Sequence, residues 1–311
     1  MRIAIVGAGA MGQLFGALLQ QSGNDVTLLE VDERTIDAVQ ENGITVKTYD
    51  GEDVTHQAVP ICRPETQMAP VDLVILFVKT YDSERALDQC MHIVGEHTSF
   101  LTLQNGLGNA EMLRRYMGEE HILVGITTIN SDREGLFTVR TSNQGIVKFM
   151  PADGVVGPYV QSVVDALAGA GIDVEAHEDI WADIWQKCAY NAALNATSAV
   201  CRVPCGGMGI MNKGMDLCND IIDEACGIAV AYGIEADASK VKRDLRTKIF
   251  GPEKNHCTSM LQDVMAKRRT ECSSINGGLV AKARAKGIEA PYNEVMFNLL
   301  RSIESTYDIQ V

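Results

Sequence analysis

The segment WQKCAYNAALNATSAV, which begins at Trp185, places Lys187, Asn191 and Asn195 four residues apart in an otherwise apolar run. Residues with this spacing share one face of an α-helix, so the three polar side chains form a row. Burying an ammonium group and two carboxamides is costly unless other polar groups satisfy them. An ammonium group can protonate a developing oxyanion, and carboxamides can hold a carbonyl or hydroxyl oxygen. The row therefore indicates either a catalytic cleft or a polar seam between helices.

A second group of polar residues lies in TSMLQDVMAKRRTECSSING, which contains Ser259, Asp263, Glu271 and Asn276. Glu271 precedes a predicted helix restart, where a carboxylate could balance the charge of a lysine. A hydroxyl at Ser259 could donate to a substrate carboxylate. Serine at a helix start and glutamate near a helix N-terminus are also common for purely structural reasons. Both interpretations stay open on these residues alone.

The hexapeptide GAGAMG follows an apolar strand, RIAIV, at the start of the chain and opens a predicted helix. In this context Gly7 permits a tight turn, Gly9 lets the backbone approach a pyrophosphate, and Gly12 lets the helix pack closely on the strand. Ala10 and Met11 begin the helix, whose N-terminus attracts phosphate. We predict a dinucleotide-binding turn here, and the alternative is a strand-to-helix turn without a ligand.

The second strand, NDVTLLE, ends in Glu30. A carboxylate at this position accepts hydrogen bonds from the adenine ribose and repels a 2′-phosphate, which favours NAD over NADP. A solvated strand-end glutamate is the alternative. Arg34, four residues further on, could still reach a phosphate, so both NADP and NAD remain candidate cofactors.

Two more loops follow predicted strands: FVKTYD, with Lys79, and LQNGLGN, with Gln104 and Asn105. Ligands bind at the carboxyl ends of parallel strands in such sheets. A lysine and two carboxamides there suit contacts to the ribose and carboxamide of a dinucleotide. A solvent-exposed lysine and a turn asparagine are the alternatives.

The first half of the chain alternates strand and helix patterns, which predicts a doubly wound α/β sheet of the Rossmann type. The segments GLFTVRT and QGIVKFM resemble antiparallel strands appended to that sheet. From about residue 179 the periodicity is almost entirely helical, with helices predicted near 181–202, 212–233, 258–286 and 292–306. We therefore predict a dinucleotide-binding domain at 1–178 and an all-α substrate and catalytic domain at 179–311.

Composition narrows the function classes. The formal net charge of −14 makes nucleic acid and anionic membrane surfaces poor partners. The nine cysteines lack CxxC pairs and the six histidines form no ligand pair, so we predict no metal site and reduced thiols in the cytoplasm. We expect no signal peptide, and the longest apolar run, VDLVILFV, is too short to span a bilayer. An acidic, helix-rich second domain is compatible with a homodimer.

Together these motifs resemble those of the ketopantoate reductases over essentially the whole chain. The matching elements are GAGAMG, the KT of FVKTYD, the QNG that follows the next strand, KxxxNxxxN, and SMLQD followed by TE and ING. The resemblance implies a Rossmann-type domain, a helical domain, and reduction of 2-ketopantoate to pantoate by hydride transfer from a nicotinamide. That reaction belongs to pantothenate and coenzyme A synthesis.

The resemblance also implies roles for individual residues. Lys187 matches the general acid, and Glu271 matches a carboxylate that supports catalysis. Asn191 and Asn195 match substrate-positioning amides, and Ser259 matches a hydroxyl that holds the substrate carboxylate. Lys79 and Asn105 match contacts on the cofactor and nicotinamide side.

Glu30 departs from the family pattern, because members that use NADPH commonly have an arginine at this strand end. The departure favours NAD and keeps a second hypothesis open, an NAD-dependent D-2-hydroxyacid dehydrogenase that acts on another 2-keto acid, such as a mandelate-like one. A third hypothesis, a dinucleotide sensor without turnover, requires the glycine turn but not Lys187, Asn191, Asn195, Ser259 and Glu271. Their joint presence favours an enzyme.

Overall fold

The computed structural model describes residues 1–51, 53–67, 69–142 and 144–310. The chain forms two compact units. The first contains Met1–Gln104 and Asn109–Ile180, and the second contains Asn105–Gly108 and the chain from Trp181 onward. A short segment after a strand of the first unit is therefore grouped with the second unit.

The first unit is built on strands and a few helices. Its strands are β1 (Arg2–Val6), β2 (Asp25–Leu29), β3 (Ile44–Thr48), β4 (Val54–Gln57), β5 (Ile61–Cys62), β6 (Val71–Leu76), β7 (Val94–Thr102), β8 (Ile122–Thr127), β9 (Ser131–Arg133), β10 (Thr138–Thr141), β11 (Ile146–Pro151) and β12 (Asp173–Ala176). Its helices are α1 (Ala10–Gln21), α2 (Glu33–Asn42), α3 (Ser83–Cys90), α4 (Asn109–Leu113) and α5 (Pro158–Gly169).

The main sheet has the strand order β12-β11-β8-β7-β6-β1-β2-β5. Its pairs are parallel except for β8 with β11. The central strands are apolar runs because a parallel sheet covered by helices is buried on both faces. Ile3, Ile5, Leu73 and Ile75 are accordingly at most 1% exposed. The parallel-dominated sheet confirms the predicted Rossmann-type α/β architecture.

A second, four-stranded sheet has the order β4-β3-β10-β9. Strand β10 pairs in parallel with β3 and antiparallel with β9. The prediction that GLFTVRT extends the main sheet was therefore wrong, whereas QGIVKFM does so through β11. Local sequence identified β10 as a strand, but its partner β3 lies about ninety residues earlier, and nothing in a short strand specifies so distant a pairing.

The second unit is helical. Its helices are α6 (Trp181–Cys201), α7 (Gly207–Ile210), α8 (Gly214–Ala231), α9 (Ala238–Phe250), α10 (Ser259–Met265), α11 (Asn276–Ala285) and α12 (Pro291–Ser305). Among the residues that the structure describes, no helix is long and apolar enough to cross a membrane.

One prediction about these helices was wrong, and helix α9 was not predicted at all. The helix expected near 258–286 is interrupted, because Lys267 adopts a left-handed conformation with φ of 53° and the chain then turns until Asn276. Helix α9 was not predicted, since nearly half of its residues are charged and its apolar residues are few. It buries Val241, Leu245 and Ile249, spaced by four residues, and Asp237 caps it by accepting from the N–H of Lys240 at 3.0 Å.

Candidate active site

The glycine turn of the first unit has geometry that only glycine allows. Gly7 has a φ of 98°, and a Cβ at Gly12 would lie 1.9 Å from the carbonyl oxygen of Gly7. Apart from Gly9 itself and its two chain neighbours, no atom of the described residues lies within 4 Å of a Cβ placed on Gly9. Gly7 and Gly12 thus shape the turn, and Gly9 leaves open space beside it.

Helix α1 starts directly at this turn, with Ala10 and Met11 in its first turn and Gly9 as its N-cap. Glycine has no side chain to cap the helix, so the first backbone N–H groups are not satisfied by their own N-cap residue. These donors and the helix dipole suit a phosphate group. The turn therefore fits the pyrophosphate of a dinucleotide.

Glu30 lies at the end of β2 and faces this turn. One carboxylate oxygen accepts from the N–H of Ala8 at 2.9 Å, and the other accepts from Val31 at 2.7 Å and Asp32 at 3.0 Å. A carboxylate has further lone pairs for ribose hydroxyls and repels a phosphate. Arg34 is exposed and pairs with Asp32 at 3.1 Å.

Gln13 was not predicted to take part in the site. It is fully buried in α1, and its Nε2 donates to the carbonyl oxygens of Ala8 at 2.9 Å and Leu136 at 2.8 Å. Glu30 and Gln13 thus hold the N–H and the carbonyl of Ala8. A carboxamide on the apolar face of AMGQLFGALLQQ was the signal that could have identified Gln13.

The side chains of the two predicted strand-end loops, Gln104 in one and Lys79 in the other, differ in their surroundings. The Nε2 of Gln104 donates to the carbonyl oxygen of Val78 at 2.7 Å and to Oγ of Ser83 at 2.8 Å. Its side chain therefore joins the ends of β6 and β7 within the first unit. Lys79 is half-buried just after β6 and begins a short 3₁₀ turn.

The polar row of the second unit lies along α6. Lys187 is half-buried, and Asn191 and Asn195 are each 8% exposed. Asn191 donates to Oδ1 of Asn105 at 3.3 Å, so the loop carboxamide and the helix row meet within this unit. In the described part of the chain, no residue hydrogen-bonds to the Asn195 side chain. A nearly buried carboxamide of this kind is suited to bind a ligand.

Lys187 has an unusual acidity. Burial lowers the pKa of Lys187 to about 8, while the negative charge of Glu271 acts in the opposite direction. Glu271 is 7% exposed and lies in the turn that precedes α11. An amine with this pKa exchanges a proton near neutral pH, which suits a general acid.

The other predicted residues of the second unit are placed as follows. Ser259 is exposed as the first residue of α10, which Thr258 caps by accepting from the N–H of Leu261. The 105–108 loop is anchored by the N–H of Leu107, which donates to the carbonyl oxygen of Ser274 at 2.8 Å. The described residues contain no group of three or more His, Cys, Asp or Glu side chains that could hold a metal ion.

Two protein-family models match the chain, one in its N-terminal half and one in its C-terminal part. The model of the family described as "Ketopantoate reductase PanE/ApbA" matches residues 3–154, and the model of its C-terminal region matches residues 179–304. A 2-dehydropantoate 2-reductase from Streptococcus pyogenes serotype M3 is 31% identical over 314 residues, and the alignment covers 100% of both chains.

Solved structures have the same fold. A ternary structure of D-mandelate dehydrogenase with NADH and anilino(oxo)acetate has a TM-score of 0.93 at 26% identity, covering 99% of this chain and 100% of that one. The 2-dehydropantoate 2-reductase of Geobacter metallireducens GS-15 has a TM-score of 0.89 at 29% identity, covering 97% of this chain and 99% of that one. By these matches, the chain belongs to the ketopantoate reductase PanE/ApbA family.

Proposed function

We propose that the protein is a 2-dehydropantoate 2-reductase, which reduces the ketone of 2-ketopantoate to give pantoate. The observation that carries the proposal is the row on α6, where Lys187 has a pKa of about 8 and the nearly buried Asn195 carboxamide has no hydrogen-bond partner among the described residues. An acid and a carboxamide of this kind about two turns apart on one helix face suit a carbonyl substrate that lies along the row.

The first unit would hold the cofactor, NAD or NADP. Its pyrophosphate would bind at the Gly7–Gly12 turn and its adenine ribose at Glu30, with Lys79 and Asn105 contacting the ribose and nicotinamide side. When bound, the reduced nicotinamide supplies the hydride that the ketone carbon accepts. The fixed position of Glu30, with three backbone N–H donors, favours NADH.

The second unit would handle the oxygen and the proton. Reduction puts negative charge on the ketone oxygen, and the ammonium group of Lys187 stabilises that charge and donates a proton to it. Asn191 and Asn195 would hold the carbonyl and hydroxyl oxygens of the substrate. Ser259 would bind the substrate carboxylate. Glu271 keeps Lys187 protonated, because its charge raises the lysine pKa.

A second candidate function is reduction of a different 2-keto acid by an NAD-dependent D-2-hydroxyacid dehydrogenase. Two observations favour it. Glu30 is bonded to the glycine turn at Ala8, where its carboxylate would accept the adenine ribose of NADH, and D-mandelate dehydrogenase bound to NADH has a TM-score of 0.93. The Lys187 chemistry would be the same in both enzymes, since each protonates the oxygen of a 2-keto acid.

A comparison of kcat/KM values for several 2-keto acids distinguishes the two candidate functions. We would measure kcat/KM for 2-ketopantoate, phenylglyoxylate and 2-ketoisovalerate with NADH and with NADPH. The proposal predicts the highest value for 2-ketopantoate. A higher value for phenylglyoxylate would favour the dehydrogenase, and NADH binding without turnover of any of the three would favour a dinucleotide sensor.

The homodimer and the cytoplasmic location stay predictions. All nine cysteines are free thiols, which suits a reducing compartment. Sedimentation equilibrium over a range of protein concentrations would test the dimer directly.

A further inference from the structure

Asn276 is the first residue of α11 and is fully buried. Its Nδ2 donates two hydrogen bonds, one to the carbonyl oxygen of Ala192 at 3.2 Å and one to Oδ1 of Asn293 at 3.0 Å. Ala192 lies on α6 between Asn191 and Asn195. The buried carboxamide therefore joins α11 to the helix turn that carries the polar row.

The hydrogen bonds continue beyond Asn293, which is also fully buried. Its Nδ2 donates to Oε1 of Glu224 at 2.7 Å. The Glu224 carboxylate also accepts from the N–H groups of Tyr292 at 2.9 Å and Asn293 at 2.8 Å, in the first turn of α12. A carboxylate is stabilised at a helix N-terminus, so this end of the network is fixed.

The other end of the network borders the turn that carries Glu271. The carbonyl oxygen of Glu271 accepts from the N–H groups of Ser274 and Ile275, both at 3.1 Å, and that of Cys272 accepts from the N–H of Gly277 at 2.8 Å. The turn is thus a short, internally bonded segment that ends at Asn276. Hydrogen bonds that fix the position of Asn276 therefore also fix the position of Glu271 at the other end of this turn.

We propose that Asn276 is a positioning residue that keeps Glu271 in register with Lys187 by binding the backbone of α6. The inference rests on the proposed function, because it assigns Glu271 and Lys187 their roles. The Oδ1 of Asn276 is buried, and the described residues offer it no hydrogen-bond partner. An unpaired buried acceptor costs free energy, so an apolar residue would fill this space better if packing alone mattered. The carboxamide of Asn276 therefore contributes through the two hydrogen bonds that its Nδ2 donates, to Ala192 and Asn293.

The pKa of Lys187 reports on the position of Glu271, because few other charged groups act on this lysine. The charged or titratable groups that act on it are Glu271 and, on its own helix, Cys188. Carboxylates on the neighbouring helices are engaged elsewhere: Asp263 of α10 with Arg268, Asp244 of α9 with Lys240, Asp223 of α8 with Lys242, and Glu304 of α12 with Thr270 and Arg301. Moving Glu271 away therefore removes the main influence that raises the Lys187 pKa.

The test compares Asn276→Leu with wild type and with Thr197→Val, which changes a fully buried polar residue on α6 itself. In Asn276→Leu we expect kcat to fall roughly 10- to 100-fold with NADH affinity unchanged, since small misplacements of a catalytic group have such effects. We expect the falling limb of the kcat–pH profile to move to lower pH by about half a unit or more, as Glu271 recedes. Thr197→Val should move neither.

A measurement that needs no turnover separates this inference from the proposed function. The Lys187 pKa can be followed by NMR after reductive ¹³C-methylation, with Lys187→Arg to assign the signal. A lower pKa in Asn276→Leu supports the positioning role even if 2-ketopantoate is not the substrate. A pKa that is unchanged or higher overturns it even if turnover is lost. If the leucine variant does not fold, Asn276→Ser replaces it, and failure of both to fold would mean that Asn276 only supports the fold, which also overturns the inference.

Discussion

The carboxylate of Glu30 accepts a hydrogen bond from the backbone N–H of Ala8 at 2.9 Å, so the acid at the end of β2 is bonded to the glycine turn after β1. Two further N–H groups, those of Val31 and Asp32, hold the same carboxylate. Its negative charge is therefore fixed beside the turn before any ligand binds. A fixed anion at this position accepts ribose hydroxyls and repels a 2′-phosphate.

The negative charge of Glu30 leads us to expect a preference for NADH over NADPH. Wild-type protein should have a higher kcat/KM with NADH than with NADPH. In Glu30→Gln the ratio of the two values should fall by about tenfold or more, because like charges in contact cost several kcal/mol. Glu33→Gln, which removes an exposed carboxylate paired with Arg63, is the matched control and should leave the ratio unchanged. An unaltered ratio in Glu30→Gln would exclude a role for Glu30 in this selection.

The glycine turn allows two alanine substitutions to be contrasted. Gly12→Ala should lower the Tm by roughly 3–10 °C, because its Cβ would overlap the carbonyl oxygen of Gly7. Gly9→Ala should leave the Tm unchanged and weaken NADH binding, since its Cβ would enter only the open space of the turn. Gly227→Ala, inside α8, is the control for adding a methyl group to a helix. Scanning fluorimetry and titration calorimetry measure both effects, and undiminished NADH affinity in Gly9→Ala would place the pyrophosphate elsewhere.

The activity should depend on pH through Lys187. In the proposed mechanism the protonated amine is the acid, so kcat for keto acid reduction should be constant below the Lys187 pKa of about 8 and fall as pH rises through it. Glu271 raises this pKa, so in Glu271→Gln the falling limb should lie at lower pH. The profile is measured with saturating NADH between about pH 6 and 10. A limb that moves to higher pH would show that Glu271 does not act on Lys187 as described.

Lys187 should also limit stability. Burial holds its folded-state pKa near 8, below the ordinary lysine value of 10.5, so the unfolded chain binds more protons between these pH values. Stability should therefore rise with pH through this window. At pH 7, Lys187→Met should raise the free energy of unfolding by about 1–3 kcal/mol, because the folded state disfavours the charged form of Lys187. Denaturant unfolding measures this, with the exposed Lys240→Met as control. A lower free energy of unfolding in Lys187→Met would mean that the attraction between Lys187 and Glu271 outweighs the cost of burying the ammonium group.

How far the sequence predicted the molecule depends on the range of the interactions involved. The turn from Gly7 to Gly12 and the row from Lys187 to Asn195 were predicted because each is set by spacing within one segment. The pairing of β10 with β3 was not, because it joins segments far apart in the chain. The same limit applies to Asn276, whose motif was visible but whose bond to Ala192 spans 84 residues.

The break between α10 and α11 was only partly predicted, because a helix restart was expected after Glu271 but a helix was expected over 258–286. The residues MAKRRTECSS include good helix formers, and propensity alone favours continuing the helix. Two other interactions stabilise the break instead. Arg268 pairs with Asp263 of the preceding helix at 3.0 Å, and the N–H of Thr270 donates to Glu304 of α12 at 2.7 Å. The break is what places Glu271 in a turn rather than on a helix face.

In the proposed mechanism Lys187 is the acid of a keto acid reductase. Measuring NADH oxidation with 2-ketopantoate for wild type and Lys187→Met, with NADH affinity determined in parallel, tests this role. We expect turnover by wild type, a kcat lower by about 10²- to 10⁴-fold in the variant, and equal NADH affinity in both. Turnover by Lys187→Met close to that of wild type would contradict it.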